Sequence, residues 1–429
     1  MTTFNTALYQ LSGQDIYVYC DPDVLDFTSK RNAKLVICCK DFKVEVPLDV
    51  SEQKLKETLG YLEAFIGGEN SIVITWNWKN FLSFAKGKTG KDFKQSGKLF
   101  ELSLLESYCG VQQERPKNFA EAKNRLGHLV AKKQWERIYS VYQGVYIPLI
   151  HTLPQLETCG VLNVNKKAKV YAHYEIDGTA NGRLKASQAL QFSYNPHILG
   201  PDEREYLKAP GWGNEFMIFD YKHMEVSVVQ WLTQDSYMKE ILDSGRDFYE
   251  AIWDALFPTI PCNEQHRKTC KEFFLPTVYG LGIEALSQKI SWPLEHARNL
   301  YERLHKLFPT VFNWIKTQQS NLINGYASDY YGRIRHFDTP YKVRNFVIQA
   351  PAALICLHKL TQLAEAVTTA QVCMHIHDGY VLLVKKESIL KTFETARQTL
   401  ESEHELYPGL KLKTVCSIGP KLSELKNVG

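Results

Sequence analysis

The chain has 429 residues, enough for two or three domains whose apolar cores need neither disulfides nor metals. Apolar residues make up 44% and charged residues 23%, as in ordinary soluble globular proteins, and the formal charge of +4 permits a nucleic-acid partner without demanding one. The ten cysteines contain no Cys-x-x-Cys pair, the start lacks a basic segment followed by an apolar core, and no uninterrupted apolar run reaches the ~18 residues of a membrane span. The expectation is therefore a reduced, cytoplasmic protein without a zinc site, a disulfide framework or a membrane partner.

Taken in chain order, residues 1–112 read as mixed α/β. Ile16–Cys20, Leu35–Cys39 and Ser71–Thr75 are strand-like, and residues 51–66 fit an amphipathic helix capped by Ser51. A lysine- and glycine-rich loop is expected over 86–98. Within it, Lys86-Gly87-Lys88-Thr89-Gly90-Lys91 is not a phosphate loop, because Leu82 stands where the first glycine is required. Residues 113–160 are helical and basic, 171–245 return to strands and then a helix, 246–324 are almost wholly helical, and 325–429 mix strands and helices. The basic stretches at 86–98 and 115–137 read equally well as solvated faces.

Three segments carry chemistry. In Glu215–Glu225 an apolar strand ends at Asp220 and a helix follows; a carboxylate there is fixed by the strand and opened by the loop, although a helix N-cap would look the same. In Met374–Val384 two apolar runs flank His377-Asp378-Gly379, which predicts a tight hairpin. Each aspartate alone fits a cap or a turn, but together they could share two divalent cations, and hard oxygen ligands suit Mg²⁺. In the third segment Arg267, Lys271, Leu275 and Tyr279 recur every four residues and share a helix face. The two cations suit a triphosphate and the tyrosine a base. Turns at Asp177–Leu184 and Tyr331–Arg335 present Arg183, Arg333 and Arg335, and Arg344, Asn345 and Gln349 open a helix; such side chains suit a nucleic-acid minor groove.

The order of these segments resembles family A DNA polymerases, the DNA polymerase I type, from about Gly178 to the C-terminus. Thr179 to Arg183 matches the family's Thr-x-x-Gly-Arg, and Asp220-Tyr-Lys-His-Met-Glu225 is similar to its Asp-Tyr-Ser-Gln-Ile-Glu. Arg267, Lys271, Tyr279 and Gly280 match its Arg-x3-Lys-x3-Phe/Tyr-x3-Tyr-Gly helix. Gly332-Arg333-Ile334-Arg335, Asn345 with Gln349, and His377-Asp378 match the remaining motifs.

The resemblance implies an α/β (α+β) fold with a right-hand palm and fingers, a reduced thumb and a degenerate RNase H-like 3′–5′ exonuclease domain in front. The implied segments are 1–112 exonuclease-like, 113–176 reduced thumb, 177–245 palm, 246–324 fingers and 325–429 palm again. It implies dNTP addition to a primer 3′-hydroxyl with two Mg²⁺ ions, Mn²⁺ able to substitute, held by Asp220 and Asp378. The incoming nucleotide would meet Arg267, Lys271, Leu275, Tyr279, His377 and Glu225, the last where the family blocks a ribose 2′-hydroxyl. Primer–template DNA would meet Arg183, Arg333, Arg335, Arg344, Asn345 and Gln349.

Several positions depart from the family. Leu275 replaces the aromatic residue that contacts the sugar, Pro276 replaces a mid-helix glycine and predicts a kink, and Gly379 replaces the glutamate after the second aspartate. In the N-terminal region Asp21-Pro22-Asp23 echoes the nuclease Asp-x-Glu, and Asn77 and Asn80 lie in an echo of its second motif, but Phe81 stands where a carboxylate belongs. Loss of proofreading is expected. Gly178 follows Gly160 by 18 residues where relatives insert a helical hairpin, so a weak grip on DNA, offset by a protein partner or homo-oligomers, is expected. The compact, divergent form suggests a phage-like origin and a bacterial or phage-infected host cytoplasm. Two other readings share these features: a catalytically silent DNA-binding or assembly subunit, and a single-subunit RNA polymerase-like enzyme.

Overall fold

The computed structural model describes residues 15–21, 33–40, 43–66, 72–93, 98–188, 190, 192–211 and 213–428. Two compact units emerge: residues 1–220, 356–400 and 414–429 form the first, and 221–355 with 401–413 the second. The cuts fall at 220/221, 355/356, 400/401 and 413/414.

The first unit opens with a five-stranded sheet of β1 (Ile16–Asp21), β2 (Lys34–Cys38), β3 (Lys43–Pro47), β4 (Ile72–Trp76) and β5 (Lys98–Glu101), in the order β3-β2-β1-β4-β5. β1 runs antiparallel to β2 and parallel to β4, which is parallel to β5. The central strands are buried along almost their whole length, which is why they read as continuous apolar runs rather than alternating ones. Helix α1 (Glu52–Ile66) begins as expected, with Ser51 Oγ accepting from the Lys54 amide at 3.4 Å. The predicted loop over 86–98 is corrected in its first part: α2 (Trp78–Thr89) runs through Lys86-Gly87-Lys88 and stops at Gly90, which takes the left-handed conformation of a helix C-cap. Helix propensity and the buried Leu82, Phe84 and Ala85 on the same helix outweigh the single internal glycine.

A buried carboxylate, Glu101, starts α2. It accepts from the Asn77 and Trp78 amides at 2.8 and 2.9 Å and from Thr75 Oγ1 at 2.7 Å. Helices α3 (Leu102–Tyr108) and α4 (Phe119–Val130), then a further helix over Trp135–Val141, lead to α5 (Ile147–Cys159), which packs along α2. There Lys79 Nζ lies 2.8 Å from Glu157 Oε1 with both side chains at least nine-tenths buried. Ser83 Oγ and the Tyr174 amide, the latter at 2.7 Å, also donate to Glu157. Burial alone would raise the Glu157 pKa, but Lys79 and His173 and the hydrogen bonds outweigh it, so the carboxyl titrates below its ordinary value.

A second five-stranded sheet completes this unit. β6 (Asn214–Tyr221) lies between β8 (Gly379–Lys385) and β9 (Thr414–Gly419), and β7 (Ala370–Ile376) forms the edge beyond β8. The 160–178 connection carries a small strand pair, Val161–Asn163 with Ala168–Ala172.

The second unit is mainly helical: α6 (Met224–Thr233), α7 (Ser236–Asp243), α8 (Phe248–Leu256), α9 (Glu264–Val278), α10 (Ile283–Ile290), α11 (Leu294–Leu307), α12 (Pro309–Ser320) and the front of α13 (Tyr341–Ala366). Its core gathers Phe248, Phe274 and Phe308, whose ring centroids lie 5.0–6.2 Å apart. Among the described residues α13 is the helix long and apolar enough to cross a membrane, but 89% of its apolar window is buried inside the protein.

Breaking the Lys79–Glu157 pair should cost more than removing it. Lys79→Met should lower the unfolding free energy by about 3 kcal/mol in urea titrations, because it strands a buried carboxylate, and Lys79→Met with Glu157→Leu should recover most of that loss. The depressed Glu157 pKa makes this contribution full above its ordinary pKa of 4.5 and lost as pH falls through the lower folded value. The wild type should therefore lose more stability than the double variant on acidification below 4.5.

Candidate active site

In the first unit, the register of β6 against β8 decides what meets. Phe219 pairs with Tyr380 and Ile218 with Val381, so the next step puts Asp220 level with Gly379. β7 and β8 form a hairpin in which Ile376 pairs with Gly379, leaving His377 and Asp378 as the two turn residues. His377 has φ +54°, the left-handed conformation such turns use. Asp220 is exposed and Asp378 is half-buried, with 29% of its side chain open. Gly379 is tightly surrounded. A Cβ there would stand 3.2 Å from the Ile376 carbonyl oxygen, 3.3 Å from that of Phe219 and 3.6 Å from Asp220 Oδ1. A larger residue would need these two carbonyls to give by a few tenths of an ångström.

Arg183 Nη2 lies 3.9 Å from Asp378 Oδ1. Its loop is tied internally: Thr179 Oγ1 hydrogen-bonds the Arg183 carbonyl at 2.9 Å and Asn181 Oδ1 at 2.8 Å, and Gly182 takes φ +77°. Beneath the hairpin, the Tyr174 hydroxyl accepts from the His375 amide at 2.9 Å and donates to its carbonyl at 3.1 Å. The His197 ring stacks on His377 with centroids 5.2 Å apart. Burial, with His197 adding to it, pushes the His375 pKa down to about 3, so this ring is neutral.

In the second unit, α9 carries Arg267 and Lys271 on one face, followed by half-buried Leu275 and Tyr279. The helix continues through Pro276 for two further residues, so the proline does not end it. The Tyr279 hydroxyl donates to the Glu225 carboxylate. Arg267 Nη2 donates to Asp247 Oδ2 at 2.6 Å, and His223 Nε2 faces the same oxygen at 3.4 Å. Gly280 has φ +89°, and a Cβ there would lie 2.7 Å from Arg344 Nη1, so the glycine makes room for that arginine. Arg344 Nη2 in turn donates to Gln319 Oε1 at 3.0 Å. Asn345 is exposed, and Gln349 and Arg335 are half-buried.

One sequence expectation is corrected here. Arg333 was expected on an open basic turn, but only 1% of it is exposed. The turn folds around Asp329, whose Oδ1 accepts from the Tyr331 and Arg333 amides at 2.9 and 2.8 Å, and this carries the Arg333 side chain inward. Sequence reasoning also missed Asp247, His223 and Tyr249. Asp247 gave a signal as an N-cap followed three residues later by Glu250, but its pairing with Arg267, twenty residues away, left none. The echo at Asp21-Pro22-Asp23 lies mostly outside the described residues.

Comparison with known proteins follows the same outline. Residues 126–424 match the sequence model of DNA polymerase family A. The chain is 25% identical over 267 residues to the thermostable DNA polymerase I of Thermus aquaticus, covering 58% of this chain and 32% of that protein. It is 23% identical over 286 residues to DNA polymerase I of Helicobacter pylori (strain J99), covering 61% and 31% respectively. The chain thus matches about a third of the length of these curated relatives. Its fold superposes on the POL domain of Pol1 from M. smegmatis, solved in complex with DNA primer-template and dNTP, with a TM-score of 0.79 at 13% identity over 98% of each chain.

Two glycines give a paired test of this geometry. Gly280→Ala should cost about 2 kcal/mol in chemical denaturation, since it forces a Cβ into left-handed backbone and against Arg344. Gly127→Ala, in a helix with open space around it, should stabilise by roughly 0.5–1 kcal/mol.

Proposed function

The chain belongs to DNA polymerase family A, and from that premise we propose that it is a template-directed DNA polymerase adding dNTPs to a primer 3′-hydroxyl. The observation that carries the reading is the β6–β8 register, which sets Asp220 level with Gly379, the residue after Asp378. Two solvent-reachable carboxylates on adjacent backbone positions are the donor set a hard cation takes when its other ligands are waters and substrate phosphates. Among the described residues no cluster of three or more His, Cys, Asp or Glu competes as a metal site. Asp220 and Asp378 would hold Mg²⁺, which when bound supplies positive charge against the transferring phosphoryl group.

The chain's own side chains supply the rest of the chemistry. Arg183 stands beside Asp378 and limits the charge repulsion between the two acids. Arg267 and Lys271 on one face of α9 bind the triphosphate. Glu225, held by the Tyr279 hydroxyl, forms a fixed wall against a ribose 2′-hydroxyl, which favours dNTPs over rNTPs. Arg335, Arg344, Asn345 and Gln349 are the side chains offered to primer–template DNA. Arg333, being buried, is not among them.

The proposal extends to an absence of proofreading. Phe81 is fully buried, so no carboxylate replaces the missing one at that position. At the ends of β1 and β4, where nuclease metals would be expected, two arginines lie instead. Arg115 stacks on Tyr19 at 4.2 Å and donates to the Cys20 carbonyl at 3.0 Å. Arg125 lies over Trp76 at 5.5 Å and pairs with Glu106.

Primer extension tests the reading. Asp220→Ala and Asp378→Ala should each abolish extension while leaving primer–template binding nearly intact, and dNTPs should outcompete rNTPs. A mismatched primer given Mg²⁺ without nucleotides should not be shortened. A wild type that never extends a primer would favour the silent-subunit reading, and shortening that Asp21→Ala abolishes would restore the nuclease.

A further inference from the structure

Asp247 divides its carboxylate between two tasks. Oδ1 accepts the Tyr249 and Glu250 amides at 3.0 and 3.2 Å and so caps α8. Oδ2 accepts from Arg267 Nη2 at 2.6 Å. The anion is therefore anchored to a helix N-terminus, where the aligned backbone dipoles also favour it. Arg267 is fixed from two sides, by this carboxylate and by the Tyr249 ring, 5.9 Å from its guanidinium. The His223 ring meets Tyr249 edge-on with centroids 5.0 Å apart and turns Nε2 toward Asp247. A guanidinium has five N–H donors, and the bond from Nη2 to Asp247 leaves the others available. The Arg267 side chain is 37% exposed, so those donors face an open side.

We propose that Asp247 is a positioning residue for the incoming nucleotide: it holds Arg267 in one orientation so that the remaining donors meet the triphosphate. This rests on the polymerase reading of Arg267. A free arginine would have to be ordered when the nucleotide binds, and that ordering cost weakens binding without touching the bond-making step. A competing role, in which Asp247 occupies Arg267 and must be displaced by the phosphates, predicts the opposite sign.

Asp247→Asn separates capping from pairing. Asparagine caps a helix about as well as aspartate, so α8 persists while the charge that holds Arg267 is lost. Steady-state incorporation of one dNTP opposite its complementary base should show KM raised by about three- to tenfold, with kcat and primer–template affinity little changed. In an Arg267→Ala background Asp247→Asn should add no further loss, as expected for two residues acting as one contact. An unchanged or lowered KM, or a full additional loss in the Arg267→Ala background, overturns the proposal. Calorimetric titration with inorganic tripolyphosphate provides a readout that does not depend on catalysis. If the wild type extends no primer, the polymerase reading fails, and this titration still decides on Asp247. Weaker tripolyphosphate binding by Asp247→Asn upholds its role, and equal or tighter binding ends it.

Discussion

The antiparallel register between β6 and β8 is the constraint on which the candidate chemistry depends. Side chains alternate faces along a strand, so a slip of one residue would carry Asp220 to the other face and break the packing of Phe216, Met217 and Phe219, which are buried on both faces of β6. Burial of Phe216, Met217, Phe219, Tyr380, Val381 and Leu382 resists such a slip, because each aromatic or aliphatic side chain exposed would cost about 1.5–3 kcal/mol. The two-residue turn at His377-Asp378 then puts the second carboxylate one position before Gly379, the residue level with Asp220, and Gly379 sits tightly beside the Ile376 and Phe219 carbonyls. Apolar packing thus sets the positions of the polar groups.

The rest of the first unit supports that sheet. Helix α5 carries Glu157, whose carboxylate is satisfied from α2 by Lys79 and Ser83 and from the following strand by the Tyr174 amide. Tyr174 in turn holds both the amide and the carbonyl of His375, three residues before Asp378. One chain of buried hydrogen bonds therefore runs from the N-terminal helix α2 to the root of the hairpin. This gives the N-terminal region a bracing role that does not depend on nuclease chemistry, consistent with its inclusion in the same compact unit.

Local signals made much of this legible in the sequence. The hairpin at 377–378, the strand ending at Asp220, the Ser51 cap and the four-residue spacing from Arg267 to Tyr279 all follow from periodicity and turn chemistry within a few residues. What the sequence hid depends on contacts between distant residues. Arg333 looks like an exposed cation until the Asp329 turn carries it inside, and Asp247 looks like a helix cap until Arg267 arrives from the next helix. Gly87 suggested a loop because glycine disfavours helix, but the buried face of α2 overrides that preference. The two compact units divide inside strand β6 and helix α13, where no linker composition marks a boundary.

The central claim is that Asp220 and Asp378 form one cation-binding site because the register brings them together. Mn²⁺ binding followed by electron paramagnetic resonance, with primer–template DNA and a non-hydrolysable dNTP analogue present, tests this most directly. The account predicts saturable Mn²⁺ binding that is lost in Asp220→Asn and lost equally in Asp378→Asn. Either variant keeping the wild-type Mn²⁺ affinity and stoichiometry would contradict it.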